Sequence, residues 1–519
     1  MRVTQSLVRN LQQIPQAIAT ECAGRRRTWR EFAERVARLA GALRAHGLQD
    51  GDRVAILALN SDSYLELLYA TPWAGGVVVP INTRWSVPEI TYALQDAGIR
   101  FLAVDEAFSS YVPPLASAVK VPYRAVLLSA APGPAAFPST GDWIATYAPV
   151  DEAGRGGDDV SGIFYTGGTT GRSKGVMLTH TNHVTNSLQL SAVMQLPTGI
   201  TYLHAAPMFH IADALCIYMV TMLGGRHVVL PRFEAVAVAD AIRQCDVTDI
   251  LLVPTMIQML LDHLQPNGIA LPTLKRLYYG ASPIPEAVLF RLFDTLPDCQ
   301  PTQLYGQTEA APMLTVLESR YHVRSGPLAG RLRAAGRAIP CIELRIVDEQ
   351  DHDVPRGTVG EVIARGPNVM TGYWRMEEQS AQTLRGGWLH TGDAAYMDDD
   401  GFIYISDRLK DMIISGGENV YSTEVENALF QHPDVAACAV IGVPDAKWGE
   451  RVHAIVVPKP GAARDAQALM AHCRTLIADF KCPRSVAFRD EPLPLSGAGK
   501  ILKTELRKPY WEAKGRNVN

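Results

Sequence analysis

Between residues 53 and about 310 two kinds of apolar segment take turns along the chain, and this alternation narrows the possible folds more than any other feature. RVAILAL (53–59), GVVVPIN (76–82) and RFLAVD are short, continuous and rich in β-branched residues, the pattern of strands buried on both faces. SYLELLYATPWAG and PEITYALQDAG, which separate them, are longer and read as helices. The rhythm continues with TYLHAAP, RHVVLP, DILLVP and LKRLYYG as strands, and with HTNHVTNSLQLSAVM, IADALCIYMVTML, AVAVADAIRQC and TMIQMLLDHL as helices. Parallel strands need a long crossover, usually a helix, so the stretch reads as parallel α/β sheet. Upstream, Thr28 and Glu31 have the spacing of a capping box, ahead of an amphipathic run through Phe32, Val36, Leu39 and Leu43.

After residue 335 the texture changes. IELRIVD, GEVIAR and GFIYIS, punctuated by GT, RGP and DDDG, read as a small antiparallel β-rich segment. From Asp407 a compact unit begins, with EVENALFQH and QALMAHCRTLIADF as helices and VAACAVIGVP and RVHAIVVPK as strands. The expected fold class is therefore α/β. A large N-terminal domain (1–406) of mixed and parallel sheets with helices carries a small β-rich subdomain, and a small α+β C-terminal domain (407–519) completes the chain. A chain of 519 residues exceeds what one core organises, which agrees with two domains.

Charge and cysteine usage remove several function classes. The 49 basic and 53 acidic residues sum to −4 with no long run of either sign, so the electrostatic footprint of a nucleic-acid binder is missing. Eight cysteines show no metal-ligand spacing and read as reduced thiols of a cytoplasmic protein. No run of about eighteen apolar residues occurs, so neither a membrane span nor a signal peptide is expected. The partner expected is a small molecule, and a homodimer is compatible with all of this.

Tyr165 to Gly175, YTGGTTGRSKG, carries four glycines, three threonines and a lysine. Glycines let backbone N–H groups approach anionic oxygens closely, and the hydroxyls and Lys174 add donors and charge. The Walker loop requires GK[ST], whereas the lysine here stands in SKG, so the loop points to a nucleotide but not to a P-loop NTPase. With its flanks, YTGGTTGRSKGVMLTH resembles the phosphate-loop signature of the adenylate-forming superfamily of acyl-CoA synthetases, peptide-synthetase adenylation domains and beetle luciferases. APMFH (206–210), YYGASP (278–283), LYGQTEA (304–310), LHTGDAAY (389–396), DRLKDMIISGGENVYSTEVE (407–426) and PLSGAGKILKTEL (494–506) come after it in the family's order. The resemblance covers essentially the whole chain.

The resemblance implies a ligase that joins a carboxylic acid to ATP as an acyl-adenylate, releases pyrophosphate, and passes the acyl group to coenzyme A. By it, Thr166, Gly167, Gly168, Thr169, Thr170, Gly171 and Lys174 hold the β- and γ-phosphates, and Thr166 and Glu309 help hold Mg²⁺, a hard cation suited to oxygen ligands. Gly280, Ala281, Ser282 and Tyr305, with Gly306, Gln307 and Thr308, border the adenine and the adenylate. Asp393 and Arg408 meet the ribose, and His210 stands beside the acyl carboxylate. Lys500 bridges carboxylate and α-phosphate in the adenylation transition state. Lys410 is the hinge about which the small, mobile domain turns, and Gly416, Gly417 and Trp448 border the pantetheine tunnel. Gly167 departs from the family's usual Ser or Thr and removes one phosphate donor.

Where an adenylation domain of a peptide synthetase places an acid for the amino group, this chain has His210, so a freestanding acyl-CoA ligase is the expected function. A non-catalytic nucleotide-binding relative is the alternative of another class; it would be expected to lose Lys500 or Glu309, and both are present. The acyl pocket is expected around His210, Ile211, Met256, the YYGAS strand end and 306–314, apolar and without Arg or Lys. That implies an apolar monoacid. A medium- or long-chain fatty acid is the expected substrate, with an aryl or cinnamic-type acid as the alternative.

Overall fold

The computed structural model describes every residue except 134–136, 167–172, 409–410, 416–417, 446, 497–500 and 512–519, and the side chain of Arg408. Its centre is a pair of sheets built from the alternating segments. In one, six parallel strands lie in the order Ile18–Cys22, Arg226–Val229, Thr201–His204, Asp249–Leu252, Arg276–Gly280 and Gln300–Gly306. Antiparallel strands Arg25–Thr28 and Met313–Leu317 flank the series. In the other, Val160–Thr166, Val77–Pro80, Arg53–Leu57, Phe101–Val104 and Arg124–Leu127 are parallel, and Lys174–Thr179 folds back antiparallel on Val160–Thr166.

Strands 77–80 and 101–104 are buried at every residue, as their unbroken apolar runs require, and so is 249–252, where Asp249 is paired with Arg276. The helix Trp29–Ala45 begins on the expected capping box: the Glu31 N–H donates to Thr28 Oγ1 at 3.2 Å and the Thr28 N–H to Glu31 Oε2 at 2.7 Å. With the wholly buried helix Asp62–Trp73 it joins the two sheets through one apolar cluster that includes Phe32, Tyr64, Leu68, Phe101 and Val229.

The β-rich segment is a four-stranded antiparallel sheet of Glu343–Val347, Gly360–Arg365, Leu389–Met397 and Ile403–Arg408. Beyond it, the antiparallel pair Val435–Asp445 and Gly449–Pro458 packs with helices Ser422–Phe430 and Ala466–Leu476 around a separate core that contains Ile413, Val425, Leu429, Val440, Leu469 and Cys473. All eight cysteines are free. Among the described residues no helix is long and apolar enough to cross a membrane.

Candidate active site

Four neighbouring parallel strands set the site. Thr201–His204, Asp249–Leu252, Arg276–Gly280 and Gln300–Gly306 lie side by side and in the same direction, so the segments leaving their C-terminal ends collect at a single edge. Those continuations carry His210, Met256, the Ala281–Ser282 pair and the Gln307–Thr308–Glu309 run. Segments far apart in sequence thus converge because of strand order alone.

The two glycines at the strand ends have a backbone reason. A Cβ on Gly280 would stand 2.2 Å from the carbonyl oxygen of Leu304, and one on Gly306 would stand 1.9 Å from that of Pro312. Neither distance leaves room for a side chain. Ala281 and Ala311 both take the left-handed region, with φ of 67° and 57°, a conformation rare outside glycine and frequent beside functional sites.

A polar constellation joins the two sheets. The Tyr373 hydroxyl donates to Glu309 Oε1 at 2.8 Å, and Lys174 Nζ lies 4.8 Å from the centre of the same ring. Tyr373 reaches this place because the short strand Gly372–Tyr373 pairs with Val176 and Met177, just past Lys174. Burial first, and then the Glu309 carboxylate, push the phenol's pKa upward, so Tyr373 remains a donor across the physiological range. Thr166 stands opposite Lys174 in the hairpin, which brings Thr166, Lys174 and, through Tyr373, Glu309 to one end of the site. On the other side the Tyr305 hydroxyl donates to Asp393 Oδ2 at 2.8 Å, with Asp393 buried and its backbone opposite Arg408.

His210 is the N-cap of helix Ile211–Met222. Its Nδ1 accepts from the Ala212 N–H at 3.3 Å, so the neutral ring carries its proton on Nε2. Three residues on, Asp213 is fully buried and bonds His204 Nδ1 at 2.8 Å and the Tyr202 hydroxyl at 3.2 Å. His204 continues to His227 at 2.9 Å, and His227 to Thr221 at 3.0 Å. This internal chain pins the helix to the strands beneath it. Ala212, Cys216, Tyr278, Leu304, Tyr305 and Ala310 share one apolar cluster behind His210, while Met256 and Ala281 belong to the adjoining one.

Trp448 is not a core residue: it is 41% exposed, with Lys447 Nζ 4.6 Å over its ring. The pairing of Ser415 with Gly449 sets it beside the chain that leads into 416–417. Gly167, Gly168, Thr169, Thr170, Gly171, Lys410, Gly416, Gly417 and Lys500 lie outside the described residues, as does the Arg408 side chain. Tyr373 has no signature in the sequence. Only the pairing of a two-residue strand far from the motifs reveals it.

The family model described as "AMP-binding enzyme" matches residues 7–374, and that described as "AMP-binding enzyme C-terminal domain" matches 424–500. The chain belongs to the AMP-binding enzyme family. Its place is the acyl-CoA ligase branch of the adenylate-forming superfamily, and its enzyme class is that of ATP-dependent, AMP-forming acyl-CoA ligases. A feruloyl-CoA synthase from Amycolatopsis sp is 42% identical over 504 residues, covering 97% of this chain and 98% of the relative. A fatty acid–[acyl-carrier-protein] ligase, ScoC, from Streptomyces coeruleorubidus is 36% identical, covering 97% and 96%. Among solved structures, ATP-bound MatB from Rhodopseudomonas palustris superposes with a TM-score of 0.88 at 32% identity, covering 99% of this chain and 100% of that one. The anthranilate CoA ligase AuaEII in complex with anthranoyl-AMP superposes with a TM-score of 0.91 at 26% identity, covering 99% and 98%.

This pattern corrects the expectation of a medium- or long-chain fatty acid. This AMP-binding enzyme is more similar to the feruloyl-CoA synthase than to the fatty-acid ligase, and its fold matches that of a ligase holding an aryl adenylate. The fatty-acid expectation rests on small apolar residues, which open a tunnel or a flat slot equally well. Composition of a pocket does not fix its shape.

Proposed function

We propose that this AMP-binding enzyme converts an aryl or cinnamic-type carboxylic acid to its CoA thioester through an acyl-adenylate. The observation that carries the reading is the 42% identity to a feruloyl-CoA synthase over almost the whole of both chains. In the first half-reaction a carboxylate oxygen attacks the α-phosphorus of ATP, the bond to the bridging oxygen breaks, and pyrophosphate leaves. In the second, the CoA sulfur attacks the acyl carbon, AMP leaves, and the thiol proton is lost.

Bringing a carboxylate to a triphosphate sets anion against anion, so preorganised positive charge and donors have to do most of the work. Thr166 and Lys174, opposite one another in the hairpin, are assigned to the β- and γ-phosphates together with the loop Gly167, Gly168, Thr169, Thr170 and Gly171. Lys500 is assigned to the carboxylate and α-phosphate. Asp393, which accepts from Tyr305, and Arg408 are assigned to the ribose, Gly280, Ala281, Ser282 and Tyr305 to the adenine, and Gly306, Gln307 and Thr308 to the border of the adenylate. His210 is assigned to the side of the acyl carboxylate, with the cluster around Ala212 and Cys216 receiving the ring.

Among the described residues no group of three His, Cys, Asp or Glu is arranged to hold a metal ion. The hard oxygen donors Glu309 and Thr166 fit Mg²⁺ held jointly with nucleotide phosphates, the usual manner for this ion. When bound there it would neutralise phosphate charge. Coenzyme A is assigned to the face bordered by Gly416, Gly417 and Trp448, with Lys410 as hinge and residues 1–406 and 407–519 as the two moving parts.

The test is thioester formation from ATP, CoA and a panel of ferulate, cinnamate, benzoate, octanoate and dodecanoate, read by chromatography. Product from one or more aryl acids in preference to the alkanoates is expected. Product from alkanoates alone would overturn the reading.

A further inference from the structure

Strand Val77–Pro80 is parallel to Val160–Thr166, with Val78 opposite Gly162, so both run out at the same edge of their sheet. After Thr166 comes the phosphate loop. After Pro80 comes the turn INTRWS, in which Asn82 Oδ1 accepts from the Arg84 N–H at 2.9 Å and fixes the backbone. Trp85 stands edge-on to Tyr165, their ring centroids 6.5 Å apart, so Arg84 lies next to the base of the phosphate loop. From there Arg84 Nη1 donates to the main-chain carbonyl of Ser496 at 2.8 Å.

Ser496 belongs to the C-terminal unit and precedes Lys500 by four residues. The chain on either side of the intervening segment is tied down. Leu495 pairs with Ile501, and the Leu502 N–H donates to the Pro494 carbonyl at 2.8 Å, which closes a stem. Lys503, next along, places Nζ 2.7 Å from Glu426 Oε1 and also bonds Ser422, anchoring the stem to helix Ser422–Phe430. A stem braced in this way transmits a force applied at Ser496 and does not absorb it.

We propose that Arg84 is a positioning residue for adenylation: by gripping the Ser496 carbonyl it docks the Lys500 stem on the edge of the large domain from which the phosphate loop emerges. This rests on the assignment of Lys500 to the first half-reaction. Transfer to the thiol occurs at the acyl carbon without Lys500, so it does not need the Arg84 contact. A guanidinium suits the task because it stays charged and spans to a carbonyl at a fixed angle.

The experiment separates the half-reactions in R84A and R84K. Pyrophosphate–ATP exchange is measured with whichever acid of the panel supports it in the unaltered protein. Thioester formation is measured from the chemically prepared adenylate of that acid with CoA. Exchange in R84A is expected to fall about tenfold, the size of one charge-assisted hydrogen bond, with thioester formation from the adenylate unchanged and exchange partly restored in R84K. Equal loss in both half-reactions at matched melting temperature, or no loss in exchange, would overturn the proposal. A readout independent of the acid is tryptic cleavage at Arg408 and Lys410, followed by mass spectrometry: R84A is expected to be cut faster than the unaltered protein, and an equal rate counts against the docking role. An acyl class assigned wrongly shows itself differently, as an unaltered protein that ignores aryl acids while R84A still lags behind it on another acid.

Discussion

The two halves of the site are built on opposite principles. On the side assigned to the nucleotide, polar groups meet one another directly: Tyr373 holds Glu309 and faces Lys174, and Tyr305 holds Asp393. On the side assigned to the acyl group the chain offers small apolar residues, Ala212 and Cys216 on a helix locked from beneath by the Asp213–His204–His227 network and Ala310 on the neighbouring turn 308–310. Recognition by charge depends on which residues are present. Recognition by shape depends on how far they leave a space open, and residue identity says little about that.

Substitutions on the two sides should therefore fail in different ways. On the nucleotide side they should slow every acid alike, and the largest effect is expected at Lys500: K500A should lose about a thousandfold or more in pyrophosphate–ATP exchange while keeping thioester formation from a supplied adenylate. Comparable loss in both half-reactions would remove Lys500 from its assigned place. Next comes Glu309→Gln, which keeps the acceptor from Tyr373 but removes the charge, and should cost about a hundredfold in exchange with the melting temperature held. On the acyl side, Ala212→Phe should reorder the acids, lowering kcat/KM for bulky aryl acids about tenfold and leaving the KM for ATP in place. A uniform loss across acids would break the division between the two sides.

Smaller effects sharpen it. Tyr305→Phe removes one donor to the buried Asp393 carboxylate and should raise the KM for ATP about fivefold, with the ranking of acids unchanged. Gly167→Ser restores a hydroxyl to the phosphate loop and should change ATP affinity or the adenylation rate by about twofold. No change in either would show that the loop works through its N–H groups alone.

Legibility in the sequence divides along the same line. The alternation from 53 to 310 encodes the parallel sheets, and the capping box at Thr28 marks the start of helix Trp29–Ala45, because local period and local hydrogen bonding decide both. Glu309, Lys174 and Asp393 were legible as charges inside motifs, whereas Tyr305 reads as bordering the adenine and its hydrogen bond to Asp393 was not legible. Nor was Tyr373, since only its pairing with Val176 brings it between Lys174 and Glu309. Arg84 and Ser496 were hidden for a similar reason: their meeting joins residues 412 positions apart. Trp448, read as bordering the pantetheine tunnel, is 41% exposed, a placement its sequence neighbours alone do not give. The acyl class was misread because small apolar residues open a tunnel or a flat slot equally well, and Gly280 and Gly306 add no pocket signal, being glycines for the sake of the Leu304 and Pro312 carbonyls beside them.

The aryl assignment is tested most directly by setting ferulate against dodecanoate in one vessel with ATP and CoA and measuring the ratio of thioesters formed at early times. Feruloyl-CoA is expected in excess by about a hundredfold, the discrimination a shaped pocket supplies. Equal amounts, or an excess of dodecanoyl-CoA, would refute the assignment.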